Sequence, residues 1–218
     1  FFGITEPKNV VATYAHDAVW FIAGSLAMGA TMVKYGLDKR IGMLVMNLAG
    51  TKVRNVVLGI LVGTAIPSAF ISEASIAPMF LPIAMALYTL TSKKIGDATQ
   101  LGKLLMMSIA IGCMVGAPMS PTGGARNAIM IGFLGNLGPE YEISFMEWMM
   151  MGSFYTLFLG LFFAFLLPFL YKPEVDDLSD AVNTLREDLK KHGKMNRDQW
   201  MVTGIALLMI IAWITDKD

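Results

Sequence analysis

Two short stretches of this sequence place polar side chains inside long apolar runs. The first includes Ser68, Ser72 and Glu73, and the second includes Arg126 and Asn127. Hydroxyl, amide and carbonyl oxygens can coordinate a small cation, and the N-terminus of a broken helix attracts an anion. Secondary transporters build binding sites within the bilayer from broken helices with polar tips. These residues therefore suggest the binding of a small ion or anion.

Prolines and glycines interrupt both stretches. The residues concerned are Pro67, Pro78, Pro82, Pro118, Pro121, Gly123 and Gly124. Proline removes a helical hydrogen-bond donor and clashes with the preceding turn. Non-helical backbone at membrane depth is tolerated only where it is buried in protein or lines a wet cavity. We therefore predict a hairpin over residues 55–92, broken between residues 67 and 82 with its tip at residues 72–75. We also predict a discontinuous helix over residues 101–137 with an unwound middle.

The composition indicates an all-α polytopic membrane protein. Hydrophobic residues make up 55% and charged residues 16% of the 218 residues, whereas an ordinary globular chain is about 25% charged. Mean hydropathy is +0.57. Uncharged runs approach the roughly 20 residues that a spanning helix needs, and they cover residues 18–33, 55–72, 74–92, 104–125, 127–139, 148–171 and 199–215. We expect an integral protein of a bacterial or archaeal inner (plasma) membrane, with the lipid bilayer as a partner.

Several classes of protein are excluded. The single cysteine, Cys113, cannot form an internal disulfide, and this apolar chain of zero net charge is neither a disordered protein nor a nucleic-acid-binding module. The motifs HExxH, GxSxG, CxxC and the Walker loop are absent from the sequence. We therefore expect no enzymatic activity, no cofactor and no nucleic-acid partner.

Basic residues predominate at both ends of the predicted hairpin. Residues 34–54 carry five basic residues and one acidic residue, residues 93–103 carry three and one, and residues 138–147 carry three glutamates and no basic residue. By the positive-inside rule, both ends of the hairpin are cytoplasmic. The segment is then either a re-entrant hairpin or two full spans joined by a tight outside turn. Its polar, proline-bounded centre favours the re-entrant hairpin.

Three local patterns predict further elements. Apolar residues on one helical face predict a helix along the membrane surface, with an ordinary cap on the aqueous side as the alternative; they are Leu37, Ile41, Leu44, Val45 and Leu48. Ser144 and Glu147 form a capping box that begins a span over residues 145–171. An apolar stripe predicts an amphipathic cytoplasmic linker over residues 172–198, consisting of Leu178, Val182, Leu185 and Leu189. Asn196 can cap the last span.

The two polar stretches resemble the divalent-anion/sodium symporter family, which includes the INDY-type dicarboxylate transporters. Ser72-Glu73-Ala74 stands where the family usually has Ser-Asn-Thr, and a Met/Leu-Leu-Pro-Ile element is matched by Met79-Phe80-Leu81-Pro82-Ile83. The family's Gly-Ser/Thr-Pro-Pro-Asn-Ala-Ile element is similar to Gly123-Gly124-Ala125-Arg126-Asn127-Ala128-Ile129. The resemblance covers nearly the whole chain but only the first of the family's two inverted repeats.

The resemblance implies one half of an inverted-repeat transporter that forms homodimers, with a fixed scaffold and an elevator-like transport domain. Residues 1–54 and 199–218 would then belong to the scaffold, residues 55–171 to the transport domain, and residues 172–198 to a linker. The implied cation site consists of Ser68, Ser72, Glu73 and Gly123. The implied substrate site consists of Ser72, Glu73, Ala74, Gly124, Ala125, Arg126 and Asn127. Whether the coupling ion is Na⁺ or H⁺ stays open.

Two departures from the family pattern introduce charges. Glu73 replaces the usual Asn and Arg126 replaces the second Pro, and they are the only charged residues within residues 55–92 and 104–139. An ionisable group at membrane depth costs at least ~2.5 kcal/mol and usually faces a cavity or a partner. We predict that the two form an ion pair across the contact between hairpin and loop. The pair is either purely structural, or the guanidinium replaces the coupling cation, or Glu73 carries a proton.

The function expected from the sequence is secondary active transport of a small anion, either a di- or tricarboxylate or an inorganic oxyanion. A non-transporting membrane scaffold or anchor subunit that kept the fold is the main alternative. Two broken helices with polar tips favour transport, because a scaffold needs no such breaks. An intramembrane enzyme is less favoured because no nucleophile–base pair is visible.

The charge pattern yields a direct test of topology. Arg54→Cys and Lys93→Cys should both react with a membrane-impermeant thiol reagent from the cytoplasmic side, because both ends of the hairpin carry cytoplasmic charge patterns. Labelling of the two positions from opposite sides would contradict the hairpin.

Overall fold

The regular elements of this protein are helical, as its long apolar runs predict. The computed structural model describes residues 17–71, 73–190 and 195–215. In these residues it contains nine α-helices and no β-strand. The helices are α1 (Asp17–Lys34), α2 (Leu37–Ala49), α3 (Val53–Ser68), α4 (Glu73–Ile95), α5 (Thr99–Gly116), α6 (Ala125–Gly135), α7 (Phe145–Leu170), α8 (Ser179–Lys190) and α9 (Arg197–Thr215).

Three segments within the described ranges are long and apolar enough to cross a membrane. They are Ile76–Ile95, Thr99–Met119 and Pro139–Leu170, and Val53–Ser68 is apolar but shorter. The prediction of an all-α membrane protein is therefore confirmed.

Helices α3 and α4 form a hairpin with antiparallel arms. The chain leaves α3 after Ser68 and enters α4 at Glu73. A Cβ atom on Gly63 would lie 3.1 Å from the Phe80 ring, so residues equally far from the turn face each other. Ile60 and Phe80 are fully buried in the hydrophobic core.

The break in the hairpin is shorter than its prolines suggest. Pro67 lies in the last turn of α3, and Pro78 and Pro82 lie inside α4, which continues through both. The prediction of a broken centre from residue 67 to residue 82 is therefore wrong. A proline removes one helical hydrogen bond, and in a packed apolar helix the neighbouring elements tolerate that loss.

The predicted interruption of the second helix is confirmed. Helix α5 ends at Gly116, and two short 3-10 turns, Ala117–Met119 and Pro121–Gly123, precede α6. Each turn carries a proline in its first two positions, where a missing N–H group costs no helical hydrogen bond.

Helices α3 and α5 approach closely because glycines lie between them. A Cβ atom on Gly112 would lie 2.0 Å from Thr64 Oγ1, and one on Gly116 would lie 2.1 Å from the Ala65 carbonyl oxygen. Small residues at such crossings allow backbones to pack together where lipid supplies no hydrophobic driving force.

The residues after α7 hold both ends of the hairpin. Val53 N–H donates to the Asp176 carbonyl (3.0 Å), and Leu178 N–H donates to the Thr51 carbonyl (2.8 Å). At the other end of the hairpin, Lys94 forms an ion pair with Asp180. The two ends of the hairpin therefore lie on the same side of the protein, in agreement with the charge pattern.

The same segment caps helix α5. Both carboxylate oxygens of Glu174 accept hydrogen bonds from the N–H groups of Gln100 (2.7 Å) and Leu101 (2.9 Å). Burial of this carboxylate raises its pKa, but the two N–H groups outweigh burial and hold the pKa below its ordinary value.

The predicted amphipathic helices pack more closely onto the protein than expected. Leu178 and Val182 are buried against the hairpin ends, so the linker helix α8 is anchored rather than loose. In α2, Leu37 is buried, whereas Leu44 and Leu48 are 60% and 78% exposed. The α2 stripe is therefore divided between the protein core and the outer surface.

The predicted caps are observed. Ser144 Oγ accepts from Glu147 N–H while Glu147 Oε2 accepts from Ser144 N–H, which completes the capping box. Asn196 Oδ1 accepts from the N–H group of Gln199 at the start of α9 (2.8 Å).

Gly112 provides a test of the α3–α5 contact. Gly112→Ala should destabilise the protein by about 1–3 kcal/mol, because the added methyl group overlaps Thr64. Gly160→Ala in α7 is the matched control, since nothing lies within 4 Å of that position. Melting temperatures in detergent compare the two variants, and equal effects would contradict the close approach.

Candidate functional site

The hairpin tip and the interrupted helix meet at a polar junction, which comprises residues 68–71, 73 and 117–127. The Thr122 hydroxyl donates to the Ala69 carbonyl oxygen across this contact (3.1 Å). A Cβ atom on Gly123 would lie 2.1 Å from the Ala117 carbonyl oxygen and 2.7 Å from that of Ser68. Only glycine allows the backbones of the tip and the loop to come this close.

Four helix ends converge at the polar junction. Helices α3 and α5 end there with their carbonyl groups, and helices α4 and α6 begin there with their N–H groups. Carbonyl ends carry partial negative charge and N–H ends carry partial positive charge. The arrangement can therefore hold a cation and an anion close to each other.

Hydroxyl groups organise the loop itself. Ser120 Oγ accepts from Thr122 N–H (3.1 Å) and lies 2.7 Å from Thr122 Oγ1. The Thr122 hydroxyl already donates its proton to the Ala69 carbonyl oxygen. The Ser120 hydroxyl is therefore the donor in its hydrogen bond with Thr122 Oγ1. The sequence interpretation missed both residues. A serine before a proline is a local signal for a cap of a short turn and could have identified Ser120.

The Asn127 side chain, in the first turn of α6, holds the loop in place by hydrogen bonds. Its side-chain amide donates to the carbonyl oxygens of Ala117 (2.9 Å) and Ser120 (2.8 Å), and the residue is only 5% exposed. Both amide hydrogens are used, so Oδ1 points away from these two carbonyls. The side chain has a structural task in addition to its predicted place in the substrate site.

Ser68 lies at the centre of the carbonyl-rich side. Its side chain is buried, with Oγ 3.0 Å from the Ala65 carbonyl oxygen and 3.3 Å from that of Cys113. The hydroxyl has one proton for two acceptors, and its lone pairs stay available as ligands. Its own carbonyl oxygen faces Gly123, so two of the predicted cation-site residues are in contact.

The predicted ion pair between Glu73 and Arg126 is present. Arg126 Nη2 donates to Glu73 Oε2 at 2.6 Å, and the side chains are 61% and 32% exposed, respectively. Glu73 is the first residue of α4 and Arg126 is the second residue of α6. The pair therefore joins the two helix N-termini.

The remaining predicted site residues are placed as follows. Gly124 is the N-cap of α6 and Ala125 is its first residue, so both lie at the junction. Ala74 lies in the first turn of α4, and its side chain is not described. Ser72 lies outside the described residues. Within the described ranges, no group of three or more His, Cys, Asp or Glu residues could hold a metal ion.

These features define an all-α integral membrane protein whose interrupted helices meet at a polar junction. The family model of the sodium:sulfate symporter transmembrane region matches residues 3–218. The chain belongs to this family.

Individual relatives give the same assignment. The chain is 24% identical over 220 residues to the sodium-dependent dicarboxylate transporter SdcS of Staphylococcus aureus (strain USA300), covering 97% of this chain and 42% of that protein. SdcS of Staphylococcus saprophyticus is 24% identical over 219 residues, with the same coverage of both chains. A membrane protein of Cupriavidus necator is 22% identical over 211 residues, covering 94% and 40%. The chain spans less than half the length of these curated relatives.

Asn127 provides a test of the loop geometry. Asn127→Ala should lower the free energy of unfolding by about 2 kcal/mol or more, because two buried carbonyl groups lose their donors. Asn136→Ala is the matched control, because Asn136 is exposed at the end of the same helix. Thermal unfolding in detergent compares them, and an unchanged melting temperature for Asn127→Ala would show that these bonds do not hold the loop.

Proposed function

We propose that this chain is part of a secondary active transporter that carries small divalent oxyanions across a bacterial plasma membrane. The observation that supports this most strongly is the convergence of four helix ends at the polar junction. Half-helix N-termini attract anionic groups, and unwound carbonyls coordinate small cations, in transporters with broken helices. Two of the relatives named above, the SdcS proteins of the two Staphylococcus species, are sodium-dependent dicarboxylate transporters, which supports a dicarboxylate as the substrate.

The anion is proposed to bind on the N–H side of the polar junction. The residues proposed for it are Ser72, Glu73, Ala74, Gly124, Ala125, Arg126 and Asn127. Backbone N–H groups at the start of α6 and the Arg126 guanidinium offer donors that suit carboxylate or sulfate oxygens. The residues proposed for the cation are Ser68, Ser72, Glu73 and Gly123, supported by the carbonyl groups that gather on the other side.

The proposed mechanism is elevator-like and operates in a homodimer. Hydrogen bonds from residues 174–178 join the first arm of the hairpin to the start of α5, and the Lys94–Asp180 ion pair joins the second arm to the same segment. Helix α9 is linked instead to the corner between α1 and α2, where Gln199 Nε2 donates to the Tyr35 carbonyl (2.9 Å). Gly50 lies between the two groups of helices, and glycine adopts its positive φ of 78° without strain, so this residue suits a hinge between the groups. This division supports movement of the first group against the second.

The charges at the junction support a proposal about the coupling ion. A guanidinium group beside Glu73 supplies a fixed positive charge where a coupling cation would otherwise sit near the carboxylate. We propose that dependence on sodium is weak and that transport is proton-linked or proceeds by anion exchange.

Two substitutions test this coupling in the full natural protein reconstituted in proteoliposomes. Glu73→Asn alone leaves Arg126 without its counter-charge, whereas Glu73→Asn with Arg126→Pro removes both charges. Proline is tolerated at position 126 because the residue lies in the first turn of α6. The double variant should be more sensitive to sodium than the wild type or either single variant.

Uptake of labelled succinate and of labelled sulfate, measured against sodium concentration and against pH, compares the four proteins. Steep sodium dependence of the wild type without a response to pH would contradict the proposed coupling. Absence of uptake of any tested anion by the wild type would contradict transport itself.

A further inference from the structure

In the part of the chain that the structure describes, the guanidinium group of Arg126 has one hydrogen-bond partner. Among the described residues, its hydrogen bond to Glu73 Oε2 is the only polar contact of the side chain. The Arg126 side chain passes over Gly124, where a Cβ atom would lie 3.7 Å from Nε. A guanidinium offers five N–H donors in a planar fork, so most of its donors are not used by the described residues.

The contact with Glu73 can be exchanged. It is a single hydrogen bond between Arg126, whose side chain is 61% exposed, and Glu73, whose side chain is 32% exposed, so the protein encloses neither side chain. An oxyanion with two free oxygens can bind a guanidinium with two parallel hydrogen bonds. It therefore offers Arg126 a better partner than the present carboxylate geometry.

Removal of Glu73 from this contact would leave a concentrated positive region. Glu73 is the only acidic residue within residues 55–92 and 104–139. Without its charge, the start of α4, the start of α6 and the Arg126 side chain all favour a negative charge at one place. In the structure, the Glu73 carboxylate supplies this negative charge.

We propose that Glu73 is an internal competitor for the anion site. In the structure the Glu73 carboxylate is bonded to the Arg126 guanidinium, and a substrate oxyanion binds to Arg126 by displacing that carboxylate. Displacement breaks the only ion pair between the hairpin tip and α6 in the described part of the chain. Binding of the anion therefore frees the tip from α6. This inference rests on the proposed transport function and specifies the part of Glu73 in the proposed anion site: the anion displaces the Glu73 carboxylate from Arg126 rather than bonding to it.

The expected ligand is an oxyanion whose two oxygens can accept two parallel hydrogen bonds from the Arg126 guanidinium. Carboxylates and sulfate meet this requirement, whereas chloride supplies only a point charge. Succinate, sulfate and chloride are therefore the three probes, and the first two distinguish an organic from an inorganic substrate.

The test measures the dissociation constant of each probe for the purified full-length protein by isothermal titration calorimetry. Glu73→Gln, which keeps the shape but removes the competing charge, should bind the preferred oxyanion about tenfold more tightly than the wild type, because no carboxylate must be displaced. Arg126→Gln should bind it at least tenfold more weakly, and the double variant should resemble Arg126→Gln. Chloride should bind weakly to all four proteins.

Asp180→Asn is the matched control, because it removes the carboxylate of the other ion pair in the described residues, on the opposite side of the hairpin. Its dissociation constants should equal those of the wild type. Glu73→Asp decides the question if Glu73→Gln does not fold, since the shorter side chain should compete less well and tighten binding.

Binding by Glu73→Gln or Glu73→Asp that is weaker than or equal to wild-type binding overturns the inference. If the wild type binds and transports an oxyanion while these variants are not tighter binders, transport stands and the inference alone fails. If the wild type neither binds nor transports any probe, the proposed function fails first.

Discussion

The structure depends on one constraint, which is that four helix ends must satisfy their backbone polar groups in an apolar setting. Helices α3 and α5 end at the polar junction and α4 and α6 begin there. Each such end leaves several N–H or C=O groups without partners inside its own helix. Lipid cannot replace these partners, so at membrane depth the groups must be bonded within the protein, to water in a wet cavity or to a bound ion.

The chain meets this constraint with short side chains and close backbones. The Thr122 hydroxyl and the Asn127 amide donate to carbonyl groups of the tip and of the loop, and the Ser120 hydroxyl accepts from the Thr122 N–H group. Gly123 allows the two segments to touch. In the proposed function, the carbonyl and N–H groups of the junction that lack a partner within the protein are the ones that bind ions.

The rest of the fold keeps the polar junction in position. Glycines bring α3 and α5 together, and the Trp148 indole N–H donates to the Pro118 carbonyl (3.0 Å), which fixes the loop against α7. A Cβ atom on Gly152 of α7 would lie 2.4 Å from the Pro118 carbonyl oxygen, so the loop also contacts α7 at this residue. At 1.5 Å per residue, Gly152 lies about 10 Å along α7 from its start. The junction therefore lies within the length of the longest span. At the far end of the hairpin, residues 174–180 hold both arms.

Three features were predictable from the sequence alone, namely the class of protein, the interruption between α5 and α6, and the pairing of the two isolated charges. Hydropathy specifies helices because an apolar segment in lipid must bond its own backbone, and Glu73 and Arg126 had no other partner of opposite sign in those runs. The capping signals at Ser144 and Asn196 were also readable, because they act over three residues.

The tertiary structure decided what local patterns could not. Whether α4 continues through Pro78 and Pro82 depends on packing around it, and proline chemistry alone predicted a break. The roles of Ser120, Thr122 and Asn127 depend on carbonyl groups up to 53 residues away in sequence. The division of the α2 stripe between core and surface depends on which neighbours cover each face. Local sequence fixes which groups need partners, but only the folded chain determines which partners they find.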